Sequence, residues 1–487
     1  TTVPVRLIKA LRDNHKSHPD SVLCTATYNN LCELASFLGP EEVAIISQDD
    51  KAKVPIGLPA ANCQAPLLMN MEYRVTLPDH DWVIAQQHKL IPSVYAALTI
   101  DNNGFGDPNA VQYSGPTYIA VRSGKHSHST AYSHAKDFER LYDVDQFKRF
   151  LFGENNLPKS VMIILVDGGP DENPRYQKVI ETAIHHFIER SLDAIFISTN
   201  APHRSAFNPV ELRMAPLSKQ LSGLILPHDN YGTHLDSNGK TINNDLEYKN
   251  FKFAGEALCE VFSNVIIDSY ETVAEFIDRD SSELESTNLI HKSESWIAQH
   301  VRSTQYMTQI VKCLNKNCCG TIRSKFHKII KSRFLPAPIP LHYAPMIEME
   351  SMDINKLKYT SLFQSLHLAS PESPYDQYCP SVNDKVQSRT CKKCKIYFAS
   401  LTLLSNHKKI HSREVISPAA KTRTKRVLRQ REREFMVITE ESPGLETCKW
   451  VDMDVVIVDS TINLEKSSED SMPVFNLSQL LNPWENE

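Results

Sequence analysis

Short apolar runs of strand length follow a helical N-terminal stretch in this sequence of 487 residues. Residues 1–42 contain the helix-like segments VRLIKALRDN and NLCELASFLG. Apolar runs of about four to eight residues are typical of strands that are buried in a sheet. Four such runs predict strands at EVAIIS (42–47), YRVTL (73–77), SVYAALTI (93–100) and TYIAVRS (117–123).

Helices and strands alternate in the next part of the chain. After a helical stretch at 136–152, the continuous apolar run VMIILV (161–166) is typical of a central strand that is covered on both faces. Residues 176–190 have apolar positions at helical spacing, DAIFIS (193–198) is another strand, and residues 247–275 are predicted to be helical. This order predicts an α/β fold in which helices flank a mixed sheet.

The segment RTCKKCKIYFASLTLLSNHKKIHS (389–412) carries the ligands of a metal site. Two residues separate its cysteines, twelve follow, and three separate its histidines: Cys391, Cys394, His407 and His411. Zinc binds four such sulfur and nitrogen ligands in a tetrahedron, and the spacing resembles that of a C₂H₂ zinc finger. The resemblance implies a small ββα fold around a zinc ion at 389–413, with Phe398 and Leu404 in its apolar core.

The helix of this finger offers few residues for reading DNA. If it entered the major groove, Ser400, Leu403 and Asn406 would face the bases. One finger covers about three base pairs, which is too few for a unique site. Sequence-tolerant contact with nucleic acid and contact with a protein are therefore both open.

Acidic residues stand where predicted strands end and where a predicted helix begins. Asp49 and Asp50 end one strand, Asp167 follows the central strand, and Glu211 lies in SAFNPVE at the start of a helix. Neighbouring strands end at the same edge of a sheet, so these carboxylates can meet. Mg²⁺ prefers such oxygen ligands, and a pair of ions supports phosphodiester chemistry. A purely structural interpretation also exists, with Asp167 in a turn and Asn208 and Glu211 in a capping box.

Taken in order, these acids and the elements between them resemble the RNase H-like core of DDE-type transposases. SAFNPVE is similar to the mariner-type signature SPDLNPIE, and the resemblance covers about residues 42–275. It implies an Mg²⁺-dependent recombinase that nicks DNA and joins the freed 3′-hydroxyl to target DNA. It also implies that Asp49, Asp167 and Glu211 are the catalytic ligands of magnesium.

Both the first acid and the activity have alternatives. Asp50 adjoins Asp49, and the segment LPDHDW offers Asp79 or Asp81 in its place. A second hypothesis is a catalytically inactive, domesticated transposase that acts as a zinc-finger DNA-binding or protein-binding regulator.

Three further cysteines lie close together in KCLNKNCCGTIRSKFHK (312–328). Cys313, Cys318 and Cys319 could form a second zinc site with Cys379 or His327. Two other segments contain several histidines. RSGKHSHSTAYSH contains His126, His128 and His134; a metal site is one interpretation, and surface histidines after a strand are the favoured one. PHDNYGTHLD is interpreted as a loop.

Charge is unevenly distributed near the end of the sequence. Residues 385–433 carry 15 Lys and Arg against two Glu, and residues 436–487 carry 11 acids against two Lys. The basic block predicts contact with DNA phosphates, and KTRTKRVLRQRER (421–433) is typical of a nuclear-import signal. The acidic end predicts a disordered tail that docks on a protein partner. No membrane span is predicted, and a reducing compartment fits the eleven cysteines, so we expect a nuclear protein.

These features together predict six segments along the chain. A helical lead-in (1–41) precedes the RNase H-like core (42–275) and a helical, Cys-containing segment (276–335). A Pro-rich linker (336–388) connects them to the finger (389–413), and a disordered tail (414–487), first basic and then acidic, follows. Tethering by the linker would keep the finger near the core and raise its local concentration.

Overall fold

The structure is a computed structural model that describes residues 18–58, 60, 84–85, 87–284, 288–341, 358–370 and 373–412. The predicted strand at 73–77, the alternative acids Asp79 and Asp81, and the tail at 414–487 lie outside the described residues. All described residues belong to one compact unit. None of the helices in this part of the chain combines the length and the apolar character that a membrane span requires.

Ten strands of the described residues form one mixed sheet, and a separate pair forms a second small sheet. The strands are β1 (Val43–Asp50), β2 (Val54–Pro55), β3 (Lys89–Ala97), β4 (Thr99–Ile100), β5 (Val111–Gln112), β6 (Thr117–Ser123), β7 (Val161–Val166), β8 (Ala194–Thr199), β9 (Ile266–Ile267), β10 (Tyr270–Phe276), β11 (Val301–Ser303) and β12 (Met307–Val311).

Helices cover both faces of the large sheet. They are α1 (Ser21–Leu38), α2 (Ala131–Leu141), α3 (Asp145–Leu151), α4 (Gln177–Glu189), α5 (Glu211–Gln220), α6 (Asn244–Ser263), α7 (Glu294–His300), α8 (Lys316–Cys319), α9 (Phe326–Ile329), α10 (Leu362–Leu368) and α11 (Leu401–Ser412).

The order of strands across the large sheet is β11-β12-β8-β7-β1-β3-β6-β10-β9, with β2 paired to β3. The adjacent strands β1, β7 and β8 run parallel to one another, whereas β3 is antiparallel to both β1 and β6. The prediction of a mixed sheet flanked by helices is therefore confirmed. The two strands that precede the predicted acids, β1 and β7, are direct neighbours in the centre.

Alternating side chains of β1 enter two different parts of the core. Ala44 and Ile46 pack with residues of α2, α3 and α4, whereas Val43 and Ile45 pack with residues of α1. A strand that is covered in this way on both faces needs an apolar residue at nearly every position. This requirement explains why the continuous apolar runs at β1, β7 and β8 were recognisable in the sequence.

Three parts of the chain differ from the sequence-based expectation. The segment 276–335, predicted to be helical, also contains β11 and β12, which join the large sheet. The helix predicted over 247–275 ends at Ser263, and β9 and β10 follow it as a hairpin. Asp268 and Ser269, which form its turn, both have positive φ angles, so the chain reverses there and β10 pairs with β6.

In the predicted linker, α10 packs on α1, where the backbone N–H of Leu362 donates to Glu33. The described part of that segment is therefore folded onto the core.

Candidate metal centres

The ends of β1 and β7 bring Asp49 and Asp167 together. Ser47 lies opposite Leu165 in the parallel register, so two residues further along Asp49 lies level with Asp167. Side chains that occupy equivalent positions on adjacent parallel strands point to the same face of the sheet. Asp49 is buried, and Asp167, directly after β7, is half-buried.

Asn208 ties the start of α5, and with it Glu211, to the end of β1. Its side-chain oxygen accepts a hydrogen bond from Ser47 Oγ (2.6 Å), and its amide donates to the backbone oxygen of Gln48 (3.0 Å). The backbone N–H of Val210 donates to the same Ser47 hydroxyl (3.0 Å). Asn208 is therefore not the N-cap of α5, whose cap position is Val210. The NPVE sequence therefore places the Glu211 carboxylate beside the end of β1.

The three predicted acids interact electrostatically. Burial raises the pKa of Asp49, and the charges of Asp167 and Glu211 raise it further. Burial also raises the pKa of Glu211; Lys51 opposes this shift and Asp167 adds to it. Burial likewise raises the pKa of Asp167, although its carboxylate accepts a hydrogen bond from the Gly169 N–H (2.7 Å). Carboxylates that repel one another in this way are relieved by a bound cation.

The acidic group is larger than the three residues that sequence analysis selected. Asp50, whose Oδ1 accepts from Ser93 Oγ (2.5 Å), also raises the pKa of Asp49, as does the buried Glu172. Glu172 accepts a hydrogen bond from the side chain of Gln48 (3.0 Å). Asp171 and Glu172 belong to the DGGPDE turn after β7. Their closeness to Asp167 in the sequence could have identified them as members of the acidic group.

Glycine is required in the turn that holds these acids. Gly168 has φ +93°, and a Cβ atom at this position would clash with Thr199 Oγ1. A residue with a side chain would be strained by both its backbone conformation and this contact. The turn can therefore pass close to the end of β8 and return Asp171 towards the sheet edge.

His134 is a buried member of this group, although the sequence suggested a surface position. Its Nε2 lies 3.5 Å from an oxygen of Asp171, 3.6 Å from Glu172 and 4.0 Å from Asp50. Its Nδ1 is 2.7 Å from the hydroxyl of Tyr95. Asp50, His134 and Asp171 could hold a metal ion. His134 lies on the inner face of α2 with Phe138 and Leu141, a helical spacing that was visible in the sequence.

The metal-free protein is expected to lose stability as the pH rises from about 6.5 to about 9. Burial opposes the charged form of His134, but Glu172, Asp171 and Asp50 raise its pKa to about 9. The folded state therefore binds a proton that the unfolded state releases, and this stabilisation, on the order of 3 kcal/mol, disappears through that interval. Urea denaturation at a series of pH values measures it. A His134→Gln variant with the same pH dependence would refute this assignment.

The segment 389–412, called the finger segment below, brings its four predicted ligands together. Thr390 and Tyr397 form an antiparallel bridge, and α11 carries both histidines. All four ligand atoms lie within 4.8 Å of one another and could hold a metal. The contacts are Cys391 Sγ to His411 Nε2, 3.5 Å; Cys394 Sγ to His407 Nε2, 3.1 Å; and His407 Nε2 to His411 Nε2, 3.2 Å.

The helix of the finger segment packs against the core instead of standing free. Helix α11 contacts α7, and Leu403 packs partly on the large core and partly on the finger's own apolar residues. Ser400 accepts a hydrogen bond from the backbone N–H of Leu403, and Asn406 accepts one from Lys409. Of the three predicted base-contacting residues, Leu403 is therefore occupied by a protein contact in this arrangement.

A second cysteine group also forms, but with a different histidine from the predicted one. His300, Cys313, Cys318 and Cys319 place their ligand atoms within 4.8 Å of one another and could hold a metal. The predicted partner Cys379 is instead buried with Leu23 and Cys24 in a separate apolar cluster. His300 was not predicted as a ligand because it lies at the end of α7, outside the segment 312–328 in which the cysteines were recognised.

The remaining histidines belong to other surroundings. His128 is exposed, as predicted, and PHDNYGTHLD is largely a loop. Within that loop, His234 is buried, and its Nε2 is 2.9 Å from His88 Nε2. Glu247, which also accepts a hydrogen bond from Lys125, lies beside both rings, and these three residues could hold a metal.

Comparison of the chain with protein-family models, with curated proteins and with solved structures found no match. A function is therefore inferred from the residues that the fold brings together.

Proposed function

We propose that this protein is a transposase-derived enzyme that cleaves DNA with magnesium ions bound by Asp49, Asp167 and Glu211. One observation carries the proposal: these acids interact at the ends of the adjacent parallel strands β1 and β7. The hydrogen bonds of Asn208 supply the connection that brings the start of α5 to this edge.

The order of elements supports an RNase H-like core. The first acid ends a strand, antiparallel strands and helices follow, the second acid comes after a strand parallel to the first, and the third begins a helix. This is the order that the transposase resemblance implies. The second small sheet and the strands β9 to β12 are additions to that order.

The chemistry of the donor set fits magnesium. Carboxylate oxygens are hard ligands, and Mg²⁺ binds through a few of them while it keeps water and phosphate oxygens in its other positions. When bound, a pair of such ions activates a water nucleophile and stabilises the leaving oxygen of a phosphodiester. Asp49 and Asp167 would hold the ions from the sheet, and Glu211 would hold them from α5. Lys51, buried nearby, offsets part of the negative charge at Glu211.

Plasmid nicking tests this proposal. Wild-type protein with Mg²⁺ is expected to convert supercoiled plasmid to open circles, and EDTA and Asp167→Ala are each expected to abolish the conversion. Asp145→Ala is the matched control, because Asp145 is an exposed aspartate at the start of α3 that pairs with Lys148. Equal nicking by wild type and Asp167→Ala would discard the assignment. A wild type that binds DNA but does not nick it would instead favour the inactive, regulatory alternative.

Replacement of Asn208 by alanine is expected to reduce nicking by about 10- to 100-fold, the usual effect of removing a group that orients a metal ligand. Asn208 is a positioning residue, since its hydrogen bonds reach Ser47 and Gln48 rather than the acids. The defect is expected to be relieved partly by higher Mg²⁺ concentration, because the carboxylates themselves remain. Magnesium titrations of the nicking rate measure this. A rate loss that no magnesium concentration changes would indicate a merely structural role.

We also propose that the metal of the finger segment is zinc and that the segment supports DNA binding through charge. Lys392, Lys395 and Lys409 are exposed, whereas Leu403 faces the core. Contacts with phosphates alone make binding tolerant of sequence and sensitive to salt. We expect similar affinities for unrelated DNA duplexes and a steep salt dependence that becomes shallower in Lys392→Ala. Binding that survives high salt and discriminates between sequences would contradict this role.

A further inference from the structure

The chain between β12 and α9 contains a stretch that buries too little apolar surface to be stable by itself. Residues 313–325 include no buried side chain, and Leu314 is 75% exposed. Helix α8 has only four residues, too few for a stable helix without further support. Hydrogen bonds to Asp193 anchor Arg323 and Ser324 at the far end of the stretch, but they do not reach α8.

Three separations between the ligand atoms of His300, Cys313, Cys318 and Cys319 match a tetrahedral zinc site, and a fourth, from His300 to Cys319, is shorter. Zinc–sulfur and zinc–nitrogen bond lengths imply about 3.8 Å between two sulfurs and about 3.6 Å between sulfur and nitrogen. The sulfur of Cys319 lies 3.7 Å from that of Cys313 and 3.8 Å from that of Cys318. His300 Nε2 lies 3.6 Å from Cys318 Sγ and 3.2 Å from Cys319 Sγ.

His300 is oriented as a metal ligand. Its Nδ1 is 2.7 Å from the backbone oxygen of Trp296, so this nitrogen carries the proton and donates it. The Nε2 lone pair then points at the cysteine sulfurs. Metal-binding histidines are usually held in this way, with the second ring nitrogen bonded to a carbonyl or carboxylate. The ring also stacks on the indole of Trp296, with centroids 4.1 Å apart, which fixes its plane.

A cation is already placed beside these sulfurs. Arg333 donates hydrogen bonds to the backbone oxygens of Lys312 and Val311, immediately before Cys313. Its charge interacts with all three cysteines of the group. Three thiolates and one Zn²⁺ have a net charge of −1, which one guanidinium neutralises.

We propose that His300, Cys313, Cys318 and Cys319 bind a second, structural zinc ion. The site joins the end of α7 to the turn after β12 and to α8, and it supplies the stabilisation that this stretch lacks. Helix α7 is also the surface on which α11 rests. This zinc ion therefore stabilises the helix on which the finger segment packs. Its role is independent of the acidic site and of DNA cleavage.

Zinc content measured on the purified full chain tests the proposal. We expect two zinc ions per molecule in the wild type, one in His300→Ala and one in Cys318→Ser, with Cys394→Ser losing the other ion. Cys259→Ser is the control and is expected to retain both, because Cys259 is buried in α6 among apolar residues. Cys318 is exposed, so its variant keeps the test valid if His300→Ala does not fold.

Cobalt substitution identifies the ligands of each ion. Thiolate-to-cobalt charge-transfer absorption grows with the number of bound thiolates. We expect five thiolates in the wild type, two in His300→Ala and three in Cys394→Ser. A wild type with one zinc ion that only Cys394→Ser removes would overturn the proposal. A disulfide among Cys313, Cys318 and Cys319 in protein purified under reducing conditions would overturn it equally.

Discussion

Replacement of Asp137 by alanine is expected to lower the free energy of unfolding by about 3–5 kcal/mol, the usual cost of breaking a buried ion pair. Arg122 and Asp137 are both fully buried, and the guanidinium of Arg122 bonds directly to this carboxylate. The same carboxylate accepts hydrogen bonds from Tyr95 (2.7 Å) and Arg140 (2.9 Å). The variant therefore leaves the buried Arg122 without its counter-ion and removes one hydrogen-bond acceptor of the buried Tyr95 hydroxyl.

Urea denaturation, followed by circular dichroism, measures this effect. Asp145→Ala, in which an exposed aspartate is removed, is expected to unfold like the wild type. The double variant Arg122→Met with Asp137→Leu is expected to recover much of the loss, because it removes both buried charges. A single variant Asp137→Ala that unfolds like the wild type would contradict the picture of a desolvated pair. The result matters for the acidic site, because Arg122 also bonds Ser93, the partner of Asp50.

Replacement of Cys394 by serine is expected to unfold the finger segment. Its apolar core consists mainly of Cys391, Phe398 and Leu404, which is too little for stability without a metal. Zinc binding in peptides of this kind supplies about 10–16 kcal/mol of apparent folding free energy. Hydrogen exchange measured by mass spectrometry should show α11 protected in the wild type and unprotected in the variant. Helix α7, which α11 covers, should exchange faster as well.

The matched control for this experiment is Cys32→Ser, a buried cysteine of α1 outside both cysteine groups. It is expected to leave α11 protected. Addition of a zinc chelator to the wild type should reproduce the effect of Cys394→Ser. If α11 stays protected after both treatments, its packing on the core is sufficient by itself, and metal-dependent folding of the finger segment would be contradicted.

The central strands were predictable because their burial imposes a simple pattern. The runs at 161–166 and 117–123 coincide with β7 and β6, since a strand covered on both faces requires apolar residues throughout. Asp49 and Asp167 were recognisable for the same reason, because each stands where such a run stops. Their proximity followed from the assumption that β1 and β7 are neighbours, and the observed register agrees with it.

Features that depend on contacts between distant residues were not predictable. Asn208 has the sequence context of a helix cap, yet its side chain hydrogen-bonds with Ser47 and with the backbone of Gln48. Residues 270–275 lie in the stretch that was predicted to be helical, and their pairing with β6 makes them a strand. His300 joins the cysteines because β11 and β12 form a hairpin that returns the chain to the end of α7.

Iron-mediated cleavage of the protein itself tests the central claim most directly. Fe²⁺ in place of Mg²⁺, with hydrogen peroxide as the oxidant and ascorbate as the reductant, produces hydroxyl radicals at the metal site, and mass spectrometry locates the cut peptide bonds. We expect cuts near Asp49, Asp167 and Glu211, all suppressed by excess Mg²⁺ and by Asp167→Ala but not by Asp145→Ala. Cuts that are absent from these three positions, or that persist unchanged in Asp167→Ala, would contradict a shared metal site at the edge of the sheet.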